Sequence, residues 1–212
     1  MTARLDHFAI AATDLASGAA WLEARLGVPL APGGRHPRMG THNRVLRLGD
    51  GLYLELIAID PDAPPPGRPR WFGLDEPALA ARLAERPRLV AWVAATDDLD
   101  AAAAASPFPL GPVHEMTRGD LVWRITIPDD GRTVESGAVP TLIEWPPGVH
   151  PTKRMPDAGC TLERLTIHHP GSQRIRDGLA RVGLDDPTVH IVDGGPSLAV
   201  SLVTPAGRVV LD

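Results

Sequence analysis

The chain has 212 residues, of which 43% are hydrophobic and 22% are charged, and its formal net charge is −5. These values are typical of a soluble globular protein with one or two domains and enough interior for an apolar core. The negative charge, and the lack of a basic stripe with interleaved aromatic residues, argue against a nucleic-acid partner.

The cysteine content and the hydropathy exclude further classes. Cys160 is the only cysteine, so an intrachain disulfide and a paired-cysteine metal site are both excluded. The first ten residues lack an apolar core long enough for a signal peptide, and no apolar run approaches the roughly 20 residues that a spanning helix needs. We therefore expect a cytoplasmic protein without a membrane partner. No P-loop or GxGxxG motif is present, so no nucleotide cofactor is expected.

The first part of the chain predicts the order β-α-β-β-β. Alternation over residues 5–12 predicts a strand in which Leu5, His7, Ala9 and Ala11 share one face and Asp6, Phe8, Ile10 and Ala12 the other. A helix follows, capped by Thr13 or Asp14 and ended by Gly27. A short strand at 28–30, a GGRHPRMG loop and strands at 43–48 and 52–59 complete the unit.

The same order of elements occurs twice more. A predicted amphipathic helix over 71–87 comes first, and AWVAATDDLDAAAA (91–104) then repeats FAIAATDLASGAA (8–20). Further strands are predicted at 111–116, 121–128 and 139–145. The last part of the chain predicts a strand over 162–169, a helix over 172–183, and strands at 189–192, 198–203 and 209–211.

Each such unit leaves one sheet face uncovered and needs a neighbour. The prediction is therefore an α+β fold of tandem β-α-β-β-β modules, whose mixed sheet forms a cup with the helices outside. The modules occupy about 4–61 and 88–147 within a domain at 1–150. A third, module-like unit at 151–212 packs on this domain, where it covers a sheet edge or forms a homodimer.

Glu55 stands in the most apolar stretch, LYLELIAI, where a carboxylate is costly to bury unless it is paired, protonated or bound to a metal. Alternation places it on the face opposite Leu54 and Leu56, so it points to the concave face of the sheet, as His7 does. Both residues could instead have a purely structural role. Glu55 could form a salt bridge to Arg44 or Arg47, and His7 could make a structural hydrogen bond.

A pair of β-α-β-β-β modules with a His in the first strand and a Glu in the fourth resembles the vicinal-oxygen-chelate superfamily (glyoxalase, bleomycin resistance, dioxygenase). Within it, GGRHPRMGTHNRVLRLGDGLYLELI followed by WFGLD is similar to the glyoxalase-like domain family, over about residues 5–147. The resemblance implies metal ligands from the first and fourth strands, which here are His7, Glu55 and, in TLIEW, Glu144. The position that matches His7 in the second module is Val90, which cannot ligate. Glu144 could instead be an exposed edge carboxylate.

The resemblance also implies a function. One histidine and two carboxylates suit Zn, Mn, Fe or Ni, with vacant positions for water and substrate. The metal would polarise an oxygen of a small-molecule substrate with vicinal oxygens, while Glu55 or Glu144 removes a proton, as in a lyase, isomerase or dioxygenase. The alternative is a metal-free protein that binds a toxic or antibiotic-like compound in the same cup.

Four residues are predicted to contact the substrate. The loop GTHN and its basic neighbours concentrate positive charge beside the cup, which suits an anionic substrate group and makes His42, Asn43 and Arg44 candidates. Trp123 is a candidate for the cup wall. The loop could equally be only a turn, and a strand tryptophan is usually part of the core.

Overall fold

The computed structural model describes residues 2–212 and contains twelve strands and four α-helices in that range. The strands are β1 (Ala3–Ala11), β2 (Ala31–His36), β3 (Thr41–Gly49), β4 (Leu52–Ile59), β5 (Arg88–Thr96), β6 (Val113–Arg118), β7 (Leu121–Thr126), β8 (Thr141–Glu144), β9 (Thr161–His168), β10 (Val189–Val192), β11 (Ser197–Thr204) and β12 (Gly207–Leu211). The helices are α1 (Leu15–Leu26), α2 (Pro77–Glu85), α3 (Leu99–Ala105) and α4 (Ser172–Arg181). Short 3-10 turns lie at Trp71–Gly73, Val134–Gly137 and Pro151–Arg154.

The first eight strands form one sheet in the order β2-β3-β4-β1-β5-β8-β7-β6. Within each module the first strand pairs in parallel with the last, β1 with β4 and β5 with β8, and antiparallel β1 and β5 join the modules. The outer strands β2 and β6 lie side by side, so the sheet curls almost closed. The predicted fold class is confirmed.

Alternation divides the sheet into an outer and an inner apolar layer. The outer face packs against the helices through residues such as Phe8, Leu54 and Trp92. The inner face carries Ile57, Ile125 and other side chains of a second cluster inside the cup. Helix α1 packs on the outer face through Ala19, Leu22 and Leu26. Asp14 caps its N-terminus by accepting a hydrogen bond from the Ser17 amide at 2.8 Å, and the helix ends at Gly27 in a left-handed conformation.

The C-terminal unit has the predicted order of elements, but its strands pair differently from those of the two modules. Its sheet has the order β10-β9-β11-β12, so β9 pairs in parallel with the second strand of the unit and not with its last. Leu165, Val200 and Leu202 join the outer core of the eight-stranded sheet. Backbone bonds from Ala3 N to Gly183 O and from Leu89 N to Asp212 O connect the two parts. The domain boundary at about 150 stays a prediction.

Two predicted segments differ from the structure. Strand β2 begins after the strand predicted at 28–30 and takes in the first half of the predicted GGRHPRMG loop, because residues 31–36 pair with β3. The predicted helix over 71–87 is a 3-10 turn followed by α2, since Phe72 and Gly73 have positive φ angles and Pro77 starts a new helix. In residues 2–212, every helix is too short or too polar to cross a membrane.

Candidate active site

A β-bulge in β1 creates the central feature of the site. In the pairing of β1 with β5, Leu5 lies opposite Ala94 and His7 opposite Val93, so Asp6 is an extra residue on β1. The bulge reverses the alternation there. Leu5 therefore packs in the outer core with Phe8, and the predicted sharing of a face by Leu5 and His7 is wrong. It also brings the side chains of neighbouring Asp6 and His7 together.

Asp6 is fully buried and orients His7. Its Oδ1 lies 2.5 Å from His7 Nδ1, while its Oδ2 accepts from Trp145 Nε1 at 2.9 Å and lies 3.1 Å from His150 Nε2. Burial alone would raise the pKa of Asp6, but hydrogen bonds from His150 and His7 outweigh it and lower the pKa to about 2. Asp6 is thus ionised at neutral pH, and the Nδ1 of His7 is the nitrogen that donates to it.

The backbone amide of Thr152 fixes the ring of His150. This amide donates to His150 Nδ1 at 3.3 Å, which leaves the proton on Nε2, where it faces Asp6. His150 comes just before the 3-10 turn at Pro151–Arg154, far along the chain from β1. It therefore ties the segment after β8 to the base of the site.

Glu55 reaches the same side of the sheet from β4, as alternation predicts. Its Oε2 lies 3.8 Å from His7 Nε2, and both residues are buried, with 5% and 4% of their surface exposed. The pairing of β1 with β4 places small Ala9 opposite Glu55 and Tyr53 opposite His7, whose ring stacks on Tyr53 at 4.6 Å. The 3.8 Å between Glu55 Oε2 and His7 Nε2 is too long for a hydrogen bond, so Glu55 does not bind His7 Nε2 directly.

Asn43 holds the other oxygen of Glu55. Its Nδ2 donates to Glu55 Oε1 at 2.5 Å, and its Oδ1 accepts from the Gly34 amide at 2.8 Å. A Cβ on Gly33 would lie only 2.0 Å from Asn43 Oδ1, so this contact requires glycine there. The predicted alternative, a salt bridge from Glu55 to Arg44 or Arg47, is not formed. These arginines pair instead with Glu23 and with Asp50 and Asp157.

His7 and Glu55 line a narrow cleft inside the cup, with about 330 Å³ between its walls when the open mouth is included. Most of the wall is aromatic or aliphatic, and it consists of Tyr53, Trp71, Phe72, Trp123, Ile125, Ile143 and Trp145. His36 and Arg118 complete it. Burial, and then the charge of Arg118, hold the pKa of His36 well below 6.5, so its ring is neutral at neutral pH. Burial, reinforced by the charges of Asp6 and Glu55, raises the pKa of Tyr53 well above 10.

The structure does not bring Glu144 to this cleft. Its neighbour Ile143 lines the cleft, so alternation turns Glu144 to the outer face of the sheet. There its Oε2 accepts from Arg124 Nη1 at 2.8 Å, and Arg124 also binds Asp100 of α3. The prediction that Glu144 faces the cleft was therefore wrong by one residue, since Ile143 takes that place.

Of the four predicted substrate contacts, two lie at or behind the cleft wall and two face away from it. Trp123 lines the cleft, and Asn43 lies directly behind it as the partner of Glu55. His42 and Arg44 alternate with Asn43 on β3 and face away from it, His42 with its ring 4.0 Å from Asp60 and Arg44 3.4 Å from Glu23 of α1. These two residues are not part of the cleft.

The sequence profile of a family described as a glyoxalase-like domain matches residues 5–183. The chain belongs to the glyoxalase-like domain family. The predicted resemblance is confirmed, and the match extends beyond residue 147 into the C-terminal unit as far as the end of α4. No curated protein is significantly similar to the chain.

Three solved structures resemble the chain to different degrees. A hypothetical protein from Staphylococcus aureus superposes with a TM-score of 0.59 and 15% identity, over 99% of this chain and 84% of that one. Methylmalonyl-CoA epimerase from Mycobacterium tuberculosis has 20% identity and a TM-score of 0.43, over 68% of this chain and 88% of that one. A variant of the Streptomyces coelicolor epimerase, in complex with 2-nitronate-propionyl-CoA, has 19% identity and a TM-score of 0.42, over 68% and 99%.

The side chains present do not fit the metal that the glyoxalase-like resemblance implies. Catalytic divalent sites usually take three protein ligands. Of the predicted three, only His7 and Glu55 face one another. In residues 2–212, no three His, Cys, Asp or Glu side chains form a group that could hold a metal ion. Ile143 occupies the place in the wall that Glu144 was predicted to fill, and the second-module position Val90 offers no donor.

Sequence reasoning missed several residues of the cleft and its surroundings. Asp6 was assigned to the wrong face because a bulge leaves no mark in the hydrophobic alternation. His150 lies in an irregular segment without periodicity. Arg118 had one available signal, since it directly precedes the Gly119-Asp120 turn between two predicted strands and so stands at the rim of the cup.

Proposed function

We propose that the protein is a small-molecule enzyme that transfers a proton at a carbon next to a carbonyl group, as an isomerase or lyase does. The observation that carries this proposal is the buried pair of His7 Nε2 and Glu55 Oε2, 3.8 Å apart in the cleft wall. Two groups able to accept and return a proton stand on one side of a small apolar cleft, which is the arrangement that general acid–base chemistry needs.

His7 is the first base in this scheme. Its Nδ1–H donates to ionised Asp6, so its Nε2 carries the free lone pair. When Nε2 takes the proton from the substrate carbon, the C–H electron pair forms a C=C bond to the carbonyl carbon, the C=O π pair moves onto the oxygen, and the Asp6 carboxylate stabilises the imidazolium that forms. Asp6 is a positioning residue in this sense, because it acts through His7.

Glu55 and Tyr53 complete the acid–base set. Asn43 holds Glu55 by one oxygen and leaves Oε2 directed at His7, so a proton can leave the site through Glu55 or return from it to the substrate. Tyr53 keeps its phenol proton at neutral pH because of its raised pKa, and it is a hydrogen-bond donor in the cleft wall for the developing oxyanion. The donor set for a metal ion is incomplete, so the proposed proton transfer relies on these side chains alone.

Deuterium exchange at the α-carbon tests this function. The protein is incubated in D₂O with a panel of 2-oxo acids, 2-hydroxy acids and aldehydes, and exchange is followed by proton NMR. We expect exchange with at least one substrate, reduced by about 100-fold or more in His7→Asn and Glu55→Gln. Glu144→Gln is the matched control, because it removes a carboxylate on the outer face and should exchange as the wild type does. Equal rates in wild type and His7→Asn would refute the proposal.

A second candidate function is binding without turnover, and the composition of the cleft favours it. Trp71, Phe72, Trp123 and Trp145 give the cleft large aromatic surfaces that suit a planar or apolar compound. A binding protein would hold such a compound with equal affinity in the wild type and Glu55→Gln, and would catalyse no exchange on any compound of the panel.

A further inference from the structure

Arg118 lies between the cleft and a second, open groove. It is the last residue of β6, it is half-buried, and it lines the cleft that contains His7 and Glu55. It also lines the neighbouring groove formed by Pro32–Arg35, Thr117–Leu121 and the segment around Pro151, with about 1190 Å³ between the walls when open solvent is included. The cleft and the groove thus share this side chain as part of their walls.

The stem of Arg118 is held in place by β2. A Cβ added to Gly34 would lie 2.8 Å from both Cγ and Cδ of Arg118, so the stem packs directly on the Gly34 backbone. The same glycine donates its amide to Asn43, which in turn holds Glu55. The position of the guanidinium is therefore coupled to the position of the catalytic carboxylate by one short backbone segment.

The charge of Arg118 is uncompensated. Most arginines near it have carboxylate partners, as Arg35 has with Asp60 and Arg154 with Asp120. Across residues 2–212, Arg118 makes no side-chain hydrogen bond and no ion pair. Its charge nevertheless acts within the cleft, since it lowers the pKa of His36 in addition to the larger effect of burial. A half-buried guanidinium with five donors and no acceptor is a fork suited to a carboxylate.

We propose that Arg118 binds the carboxylate of the substrate, and that the substrate class is 2-oxo or 2-hydroxy carboxylates. This inference rests on the proposed function. The carboxylate lies at Arg118, the C–H bond that is broken (at C2 of a 2-hydroxy acid or at C3 of a 2-oxo acid) faces His7 and Glu55, and the rest of the molecule extends toward the groove around Pro32 and Pro151. The rim residues His42 and Arg44, which face elsewhere, have no part in it.

Binding of oxamate and its neutral isostere oxamide tests the anion site without turnover. Trp71, Trp123 and Trp145 line the cleft, so quenching of intrinsic fluorescence reports occupancy. We expect the wild type to bind oxamate about tenfold or more tightly than oxamide. Arg118→Gln should lose this preference while its affinity for oxamide stays the same, and Arg118→Lys should keep part of it. Circular dichroism and urea unfolding show that the variants are folded.

Arg154→Gln is the matched control, because Arg154 lines the same groove but is paired with Asp120. It should keep the full preference for oxamate. Any of three results would overturn the inference. The preference could be unchanged in Arg118→Gln, it could be lost equally in Arg154→Gln, or the wild type could show no saturable binding of oxamate.

The anion site and the proton transfer fail separately. If no deuterium exchange occurs but the oxamate preference depends on Arg118, the proton-transfer proposal falls and the anion site stands. If exchange depends on His7 and Glu55 but the oxamate preference survives in Arg118→Gln, the reverse holds.

Discussion

Asp6→Asn is expected to destabilise the protein strongly, although the change replaces a single oxygen by nitrogen. Asp6 is fully buried and faces donors from Trp145, His7 and His150. An asparagine has one acceptor oxygen, so its NH₂ group would face at least one of these donors. Both donors would then be buried without an acceptor. Breaking a buried charged network in this way costs about 3–5 kcal/mol.

The pKa of Asp6 sets the pH dependence of part of this loss. Because the pKa falls from 3.8 to about 2 on folding, ionised Asp6 contributes about 2.5 kcal/mol to stability at neutral pH. This contribution is fully present well above the unfolded pKa, and it is lost as the pH falls through the folded pKa. About half of it remains at pH 3. The stability difference between wild type and Asp6→Asn should therefore narrow by about 1 kcal/mol between pH 7 and pH 3.

Urea unfolding at pH 7, 5 and 3, followed by tryptophan fluorescence, measures both quantities. Asp50→Asn is the control, because the Asp50 side chain is 97% exposed and the change should leave the free energy of unfolding unaltered at pH 7. If Asp6→Asn is as stable as the wild type at pH 7, or if the difference between them does not shrink at pH 3, then Asp6 does not stabilise the site as an ionised hydrogen-bond acceptor.

Four further predictions concern the same cleft. Asn43→Ala should lower the free energy of unfolding by about 1–3 kcal/mol, measured by urea unfolding, because buried Glu55 loses its donor. Since the pKa of His36 is held well below 6.5, the unfolded chain binds this proton first, so lowering the pH from 7.5 to 5 should destabilise the protein. In Arg118→Gln, NMR titration should find the pKa of His36 raised; an unchanged value would mean that the charge of Arg118 does not reach the cleft. Elemental analysis of protein purified without chelators should give far less than one divalent metal per chain, unchanged in Glu55→Gln, because only two donors face each other.

The inward or outward orientation of a side chain could be predicted where the strand is regular and its apolar residues lie on one face. Alternation in LYLEL placed Glu55 on the concave face, and the structure has it there because β4 is regular and Leu54 and Leu56 must face the helices. The same reasoning failed for Glu144. The strand β8 is only four residues long, and its two apolar residues Leu142 and Ile143 face opposite sides, so the pattern leaves the phase undetermined.

Asp6 and Arg118 show what a linear pattern cannot contain. A bulge depends on the partner strand β5, which lies more than 80 residues further along the chain, and nothing within DHFAI reveals it. Arg118 enters the site because β6 closes against β2, which is a consequence of the curl of the whole sheet. The predicted basic residues His42 and Arg44 face away from the cleft, and the arginine that lines it, Arg118, comes from the other module.

The charges around the cleft are the basis of our proposal that it binds a carboxylate and not a cation. The negative charge of Asp6 is already met by donors from His7, His150 and Trp145, so it is not available to a ligand. Glu55 is the one carboxylate directed into the cleft, and Asn43 holds one of its oxygens. A divalent cation would meet that single carboxylate, one imidazole and the guanidinium of Arg118. In our proposal, a substrate carboxylate pairs with that guanidinium, Glu55 faces the carbon that loses the proton, and neutral His36 and Tyr53 stand in the same wall. Because Ile143 and not Glu144 faces inward, the second module supplies positive charge and apolar surface where a metal site would need an oxygen donor.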